Sequence, residues 1–215
     1  MASLDFAAFQ HEIRLHATLA PIGFIILLPI GILIPRLTRT FTNKWFLPHA
    51  LFQSLIAGPI IVAGVAYGLK ATQRMVAADD TTHFSDPHKK AGLALFILYI
   101  CQVLLGLTSH LFKRPSFRFL LHRSPHQVLH IALGLAIIGL AFYQVHLGYT
   151  YEWLFFVGSV PPTSVNKAWL ALVIIFPVLY VLGYALYPRQ ISQESAHRDS
   201  SSSRVSLQQK EEMSG

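Results

Sequence analysis

Four of the eleven histidines in this chain, His16, His49, His88 and His130, stand one apiece at the start of four successive apolar segments. A lone histidine at such a boundary is ordinarily a cap or an interfacial residue. Four of them, one per segment, call for a shared explanation. Ionisable groups in lipid are costly and belong to functional sites by default, and neutral imidazole is a common metal ligand. His11, His83 and His197 lie in polar stretches, where a solvated surface role suffices. The run "HRSPHQVLHIALGLAIIGLAFYQVHLGY", residues 122–149, holds four histidines. Within it, His126 and His130 share a helix face as i, i+4 neighbours, and either can ligate. His130 lies a turn deeper, with Gly134 beside it, and is the preferred ligand. His122 stays in the loop with Arg123, and His146 points about 160° away from His130 at 100° per residue.

The elements that must carry these residues are membrane helices. Of 215 residues, 53% are hydrophobic and only 13% charged, about half the charge of a soluble domain. Segments near 16–35, 47–69, 88–112, 126–149 and 167–187 are each long enough to cross a hydrocarbon core of about 20 helical residues. Pro21, Pro29, Pro59 and Pro177 fall inside them and predict kinks rather than breaks. The polar start "MASLDFAAFQHEIRLH" does not read as a cleavable signal peptide. The single Cys101 excludes an intramolecular disulfide framework and a thiolate-rich metal site.

Alternation of the segments sorts the histidines into pairs. The first and third segments run the same way, so His16 and His88 emerge at one membrane face. The second and fourth run the other way and bring His49 and His130 to the opposite face. A four-helix bundle thus receives one imidazole pair at each end, roughly 20–30 Å apart at 1.5 Å per residue. Opposed imidazoles from facing helices suit a six-coordinate haem in a bundle core. Gly92, Gly134 and Ala20 follow three of the ligands by four residues, and their small side chains leave room for a flat macrocycle on that face. Gln53 takes that position after His49 and is expected to bond a propionate or another buried polar group. One helix serving both levels would need histidines about fourteen residues apart, and no segment has them.

The stretches "LHATLAPIGFIILLPIGILIPRL", "WFLPHALFQ", "DPHKKAGLALFILYICQVLLG" and "LHIALGLAIIGLAFYQVHLGY" resemble the core helices of the cytochrome b561 family, in the manner of its fungal ferric-reductase branch. The resemblance covers roughly residues 10–150 and rests on one histidine in each of four successive helices. It implies two haem b groups, with iron held by His16 and His88 on the non-cytoplasmic side and by His49 and His130 on the cytoplasmic side. It also implies electron transfer from cytoplasmic ascorbate to an acceptor such as ferric iron or monodehydroascorbate, making the chain a transmembrane reductase. Many fungal relatives carry an extracellular DOMON domain before the core, where fifteen residues stand here; Ala17 replaces their usual glycine. No motif carries over an ascorbate site. Lys44, Arg118 and Arg123 can attract an anionic donor, and the positive-inside rule accounts for them equally well.

The expected architecture is therefore an all-α membrane protein of five transmembrane helices whose four-helix core holds two haems. Residues 1–15 form a short N-terminal segment, 16–187 the transmembrane domain, and 188–215 a disordered Ser-rich cytoplasmic tail. In "TYEWLFFVGSVPPTS", Trp153, Phe155 and Phe156 read as a loop anchored at the lipid interface. The loops holding Arg36, Arg39, Lys44, Lys113, Arg114, Arg118 and Arg123, with Arg189, carry eight basic residues. Six (Arg14, Lys70, Arg74, Lys89, Lys90 and Lys167) lie on the other face. This places the N-terminus outside or in a lumen and the C-terminus in the cytoplasm. The formal charge of +7 is explained by these loops without nucleic acid. Lipid, small-molecule donor and acceptor, and a second copy of the chain are the candidate partners. The competing reading is a histidine-dependent metal-ion transporter, which needs ligands converging on one site and carboxylates inside the segments; the segment interiors hold no Asp or Glu.

Overall fold

The computed structural model describes residues 5–79, 86–111 and 125–214, which are helical nearly throughout. Among them, five helices are long and apolar enough to cross a membrane. We label these α1 (Phe6–Thr38), α2 (Phe46–Ala78), α3 (Pro87–Leu111), α4 (Pro125–Val157) and α5 (Thr163–Leu182). A further helix, α6 (Tyr187–Ser214), follows a short 3₁₀ turn. His83, Lys113, Arg114, Arg118, His122 and Arg123 lie outside the described residues.

Local chemistry sets the helix ends. The Asp5 carboxylate accepts from the Ala8 amide at 3.1 Å to open α1, satisfying a donor that the helix itself leaves unpaired. Asp86 does the same for α3, accepting from Lys89 N at 2.8 Å and pairing with Lys89 Nζ at 2.8 Å. Burial acts to raise the Asp86 carboxyl, but the Lys89 hydrogen bonds and charge outweigh it and hold the group below its ordinary value. Pro87 and Pro125 occupy the first positions of α3 and α4, where a missing N–H costs nothing. Gly158, at φ 70°, closes α4 by donating to Leu154 O at 3.1 Å.

Pro29 and Pro59 do not break α1 and α2. Each follows by two residues a widened π turn, Ile22–Leu27 or Phe52–Ala57. Leu28 N–H bonds Gly23 O and Gly58 N–H bonds Gln53 O, five residues back in both cases. Such a turn accommodates one extra residue without interrupting the helix.

α1 packs along α2, α3 packs along α4, and the two pairs face each other across a shared core. Its middle is filled by Phe24, Leu28, Ile61, Tyr99, Ile137 and Phe142. Phe24 meets Tyr99 edge-on at 6.0 Å between centroids. α1 and α2 approach closely: a Cβ on Gly64 would stand 2.7 Å from Ala20 N, and one on Gly23 would stand 2.6 Å from Ile61 Cγ1. Small residues permit this kind of close membrane packing. α5 lies outside the four-helix core against α1 and α4. Leu55, Leu104, Ile174 and Val181 are exposed, an outward apolar surface suited to lipid.

Two expectations change. The stretch holding Trp153, Phe155 and Phe156 is the last part of α4, reached through a third π turn at Gly148–Glu152. Phe156 packs on Phe9 of α1 at 5.7 Å, and its carbonyl accepts from the Gln10 amide. Residues Tyr187–Ser214 are helical, where composition predicts no folded structure. Their serines are satisfied within the helix itself: Ser200 and Ser201 Oγ donate to His197 O at 2.9 and 2.8 Å, and Ser203 Oγ to Asp199 O at 2.9 Å. Near its start Gln190 is buried, donating to Arg36 O at 2.8 Å and Thr40 Oγ1 at 3.2 Å. Beyond Ser200 the described part of the helix is exposed.

Candidate functional site

His16 of α1 faces His88 of α3, with ring centroids 6.0 Å apart and planes at 88°. The His16 Nδ1 lies 2.8 Å from Gly64 O of α2. One turn further along α2, a Cβ on Gly68 would stand 2.7 Å from the same ring, so this helix offers a flat shelf. His88 rests on α4 in the corresponding way, since a Cβ on Gly148 would stand 3.0 Å from its Cε1. Gln144 Nε2 donates to His88 O at 2.7 Å and lies 3.0 Å from His88 Nδ1.

At the other end of the bundle His49 of α2 faces His130 of α4, with centroids 6.4 Å apart and planes at 87°. The His49 Nδ1 lies 2.7 Å from Gly31 O. Pro35, four residues on, has no N–H to claim that carbonyl for the helix, so Gly31 is free to accept from the imidazole. His130 rests against Gly106 of α3, where a Cβ would stand 2.8 Å from its Cε1. Gln102 Nε2 donates to His130 O at 2.7 Å. The buried His130 Nδ1 has no hydrogen-bond partner among the described residues.

Both levels follow from residue counts. In α3 the order His88, Gly92, Gln102, Gly106 has steps of four, ten and four residues. In α4 His130, Gly134, Gln144 and Gly148 repeat the same steps. Fourteen residues make nearly four turns and about 21 Å of rise, so each histidine and its own helix's glutamine share a face at opposite levels. In α1 and α2 the matching distance, His16 to Gly31 and His49 to Gly64, is fifteen residues. The π turn in each of these helices absorbs the additional residue and returns the glycine to the histidine's face.

The expected role of Gly92 and Gly134 changes. Each makes room for an amide from the neighbouring helix: a Cβ on Gly92 would stand 3.0 Å from Gln144 Nε2, and one on Gly134 would stand 2.8 Å from Gln102 Nε2. Gln53 donates to Leu28 O at 3.2 Å, its amide lying over Gly31. His126, partly buried, stands one turn outside His130. His146 belongs to neither pair, lying 4.6 Å from the Trp169 ring and 5.1 Å from the Tyr149 ring. Lys44 is exposed beside the His49 end. Near that end Arg36 lies 3.5 Å over Tyr184 and Arg39 4.5 Å over Trp45. At the His16 end, Arg74 pairs with the buried Glu12 at 2.8 Å.

These residues fit a haem iron at each level. Two metal–imidazole bonds of about 2 Å, with each ring centroid about 1.1 Å behind its nitrogen, put facing centroids about 6 Å apart. With Nδ1–H donated to a glycine carbonyl, His16 and His49 present Nε2 as the free lone pair, the usual outer-sphere arrangement of a metal-bound imidazole. Glycine shelves lie beside the His16, His88 and His130 rings. Among the described residues no three His, Cys, Asp or Glu side chains converge on a metal position, so the geometry is that of paired sites rather than one multi-ligand ion site.

A four-helix membrane core with facing imidazoles at each end is a haem-protein scaffold. The chain belongs to the eukaryotic cytochrome b561 family, whose family model matches residues 15–156, and the family implies haem b. It is also similar to the plasma membrane ascorbate-dependent reductase CYBRD1 of Rattus norvegicus, 31% identical over 172 residues, covering 76% of this chain and 57% of that protein. The Mus musculus protein of the same name is 30% identical over 174 residues, with the same coverage. The chain thus spans somewhat over half the length of these relatives. No solved structure matches it.

Proposed function

We propose that the chain carries electrons across a membrane through two b-type haems, one held by His16 and His88 and the other by His49 and His130. The observation that carries this reading is the double pairing at 6.0 and 6.4 Å, each separation fitting a six-coordinate iron between two imidazoles. Bound haem would supply reversible one-electron chemistry, with His16 and His88 holding one group and His49 and His130 the other. The chain's own residues fix the imidazoles through Gly64, Gly31, Gln144 and Gln102, and exclude water from the interval between levels with Phe24, Leu28, Ile61 and Ile137.

The proposed donor is ascorbate at the His49/His130 end, facing the cytoplasm. The proposed acceptor is a ferric chelate or monodehydroascorbate at the His16/His88 end, outside or in a lumen. The printed names of the CYBRD1 relatives support ascorbate, and the balance of basic residues supports the orientation. Residues 16–187 would then be the electron-transfer unit, with 1–15 external and 188–215 cytoplasmic.

Vesicles loaded with ascorbate and given an impermeant ferric chelate outside test the path. Ferrous iron should form outside only when all four histidines are present. High internal salt should slow the reaction, because it shortens the Debye length to about 10 Å near 0.1 M and weakens attraction of the anionic donor. Undiminished external reduction by the His16→Ala protein would sink the transmembrane route.

A further inference from the structure

Three glutamines, Gln53, Gln102 and Gln144, lie inside the membrane bundle, and each has a buried Oε1 without a hydrogen-bond partner among the described residues. A buried amide half satisfied is costly, so the bond its nitrogen does make must fix its place. Gln102 and Gln144 both donate that nitrogen to the backbone carbonyl of a histidine on the neighbouring helix, at 2.7 Å in both cases, and Gln144 Nε2 also lies 3.0 Å from His88 Nδ1. The residue four past each histidine, whose own N–H completes the helical bond to that carbonyl, is glycine. Any side chain there would collide with the amide, since a Cβ would stand 2.8 Å from Gln102 Nε2 or 3.0 Å from Gln144 Nε2. Histidine, glycine and glutamine therefore act as a unit, and the unit occurs twice at identical spacing.

We infer that Gln102 and Gln144 are positioning residues for the haem ligands His130 and His88, each amide fixing the ligand's backbone and through it the tilt of the imidazole on the iron. The inference rests on the two-haem reading. Its content is a crossed pattern: Gln102 rides on the helix that carries His88 yet governs the His49/His130 level, and Gln144 rides on the helix of His130 yet governs the His16/His88 level. Generic interhelical adhesion between α3 and α4 would disturb both levels together, whereas positioning disturbs only the opposite one.

The test uses the purified, haem-loaded full chain, read by redox titration and low-temperature electron paramagnetic resonance. The two signals are assigned beforehand from the His16→Ala and His49→Ala proteins. In Gln102→Leu the midpoint potential and resonance of the His49/His130 haem should shift while those of the other haem stay unchanged. In Gln144→Leu the opposite should hold. Gly134→Ala, which only displaces the Gln102 amide, should reproduce the Gln102→Leu shift from a different helix, and it carries the test if Gln102→Leu does not fold. Unmoved signals, equal movement of both haems, or movement of only the haem on the glutamine's own helix would overturn the inference and leave the two-haem reading standing. A wild-type chain that binds no haem would overturn that reading and this inference with it.

Discussion

The two helix pairs reach the same geometry by different means. In α1 and α2 a backbone carbonyl holds the imidazole directly at Nδ1, and a π turn tunes the helical phase so that fifteen residues separate each histidine from the glycine that supports the histidine at the other level. In α3 and α4 the helix stays regular between histidine and glutamine, the spacing is fourteen, and a glutamine amide holds the backbone carbonyl of the histidine on the other helix, at His88 reaching the ring nitrogen as well. The first pair grips each imidazole with a backbone carbonyl, and the second holds each histidine with a side-chain amide. Mutations should therefore sort by helix pair, with backbone-supported ligands sensitive to helix phase and amide-supported ligands sensitive to side-chain identity.

The largest effects should come from the four histidines proposed as ligands. His49→Ala or His130→Ala should remove one haem and leave the His16/His88 haem with an unchanged spectrum, because the two levels share no ligand. His126→Ala should retain both haems. Pyridine haemochrome stoichiometry per folded protein checks this, and equal loss of both haems in each single mutant would contradict independent levels. Retention in His130→Ala with loss in His126→Ala would move the ligand one turn outward.

A smaller effect should follow from filling a shelf. In Gly68→Val, Cβ alone would come within 2.7 Å of the His16 ring, with the remaining methyls adding to the collision. Overpacking of this kind costs about 1–3 kcal/mol. The His16/His88 haem should bind more weakly and be lost first on heating, while the His49/His130 haem keeps its wild-type melting behaviour. Simultaneous loss of the two haems would mean that the shelves serve the bundle as a whole.

The contrast between helix pairs also marks what the sequence revealed. Five membrane helices, an all-α core, the four boundary histidines and the family resemblance were readable because apolar run length and residue position are local properties. The fourteen-residue interval at which one helix would need a second histidine holds glutamine instead, Gln102 after His88 and Gln144 after His130. Glutamine in an apolar run carries no metal-ligand signal, and its partner is a carbonyl, which sequence cannot display. The fifteen-residue partners Gly31 and Gly64 were hidden further, since their phase depends on π turns that hydrophobic periodicity does not encode. Gly92 and Gly134 stood out, but whether each clears space for a cofactor or an amide depends on what the facing helix brings. The helix at Tyr187–Ser214 escaped a composition argument that weighs burial and overlooks serines bonding within their own helix.

The smallest expected effect distinguishes the two backbone-held ligands from each other. Gly31 O has lost its helical donor to Pro35, whereas Gly64 O retains Gly68, with an N–H, four residues on. The carbonyl facing His49 is thus undivided and the one facing His16 is shared. An undivided acceptor draws more on the Nδ1 proton, makes the imidazole a stronger electron donor, and favours ferric iron. The His49/His130 haem should then have the lower midpoint potential of the two, the order that suits electron flow from the proposed ascorbate end toward the proposed acceptor end. Pro35→Ala restores an N–H that competes for Gly31 O. A hydrogen bond weakened by at most about 1 kcal/mol corresponds to a rise of at most about 40 mV for one electron. Both haems should remain bound, the His49/His130 potential should rise within that bound, and the His16/His88 potential should stay fixed. A fall in the first potential, or an equal change in both, would show that Pro35 shapes the helix without tuning the ligand.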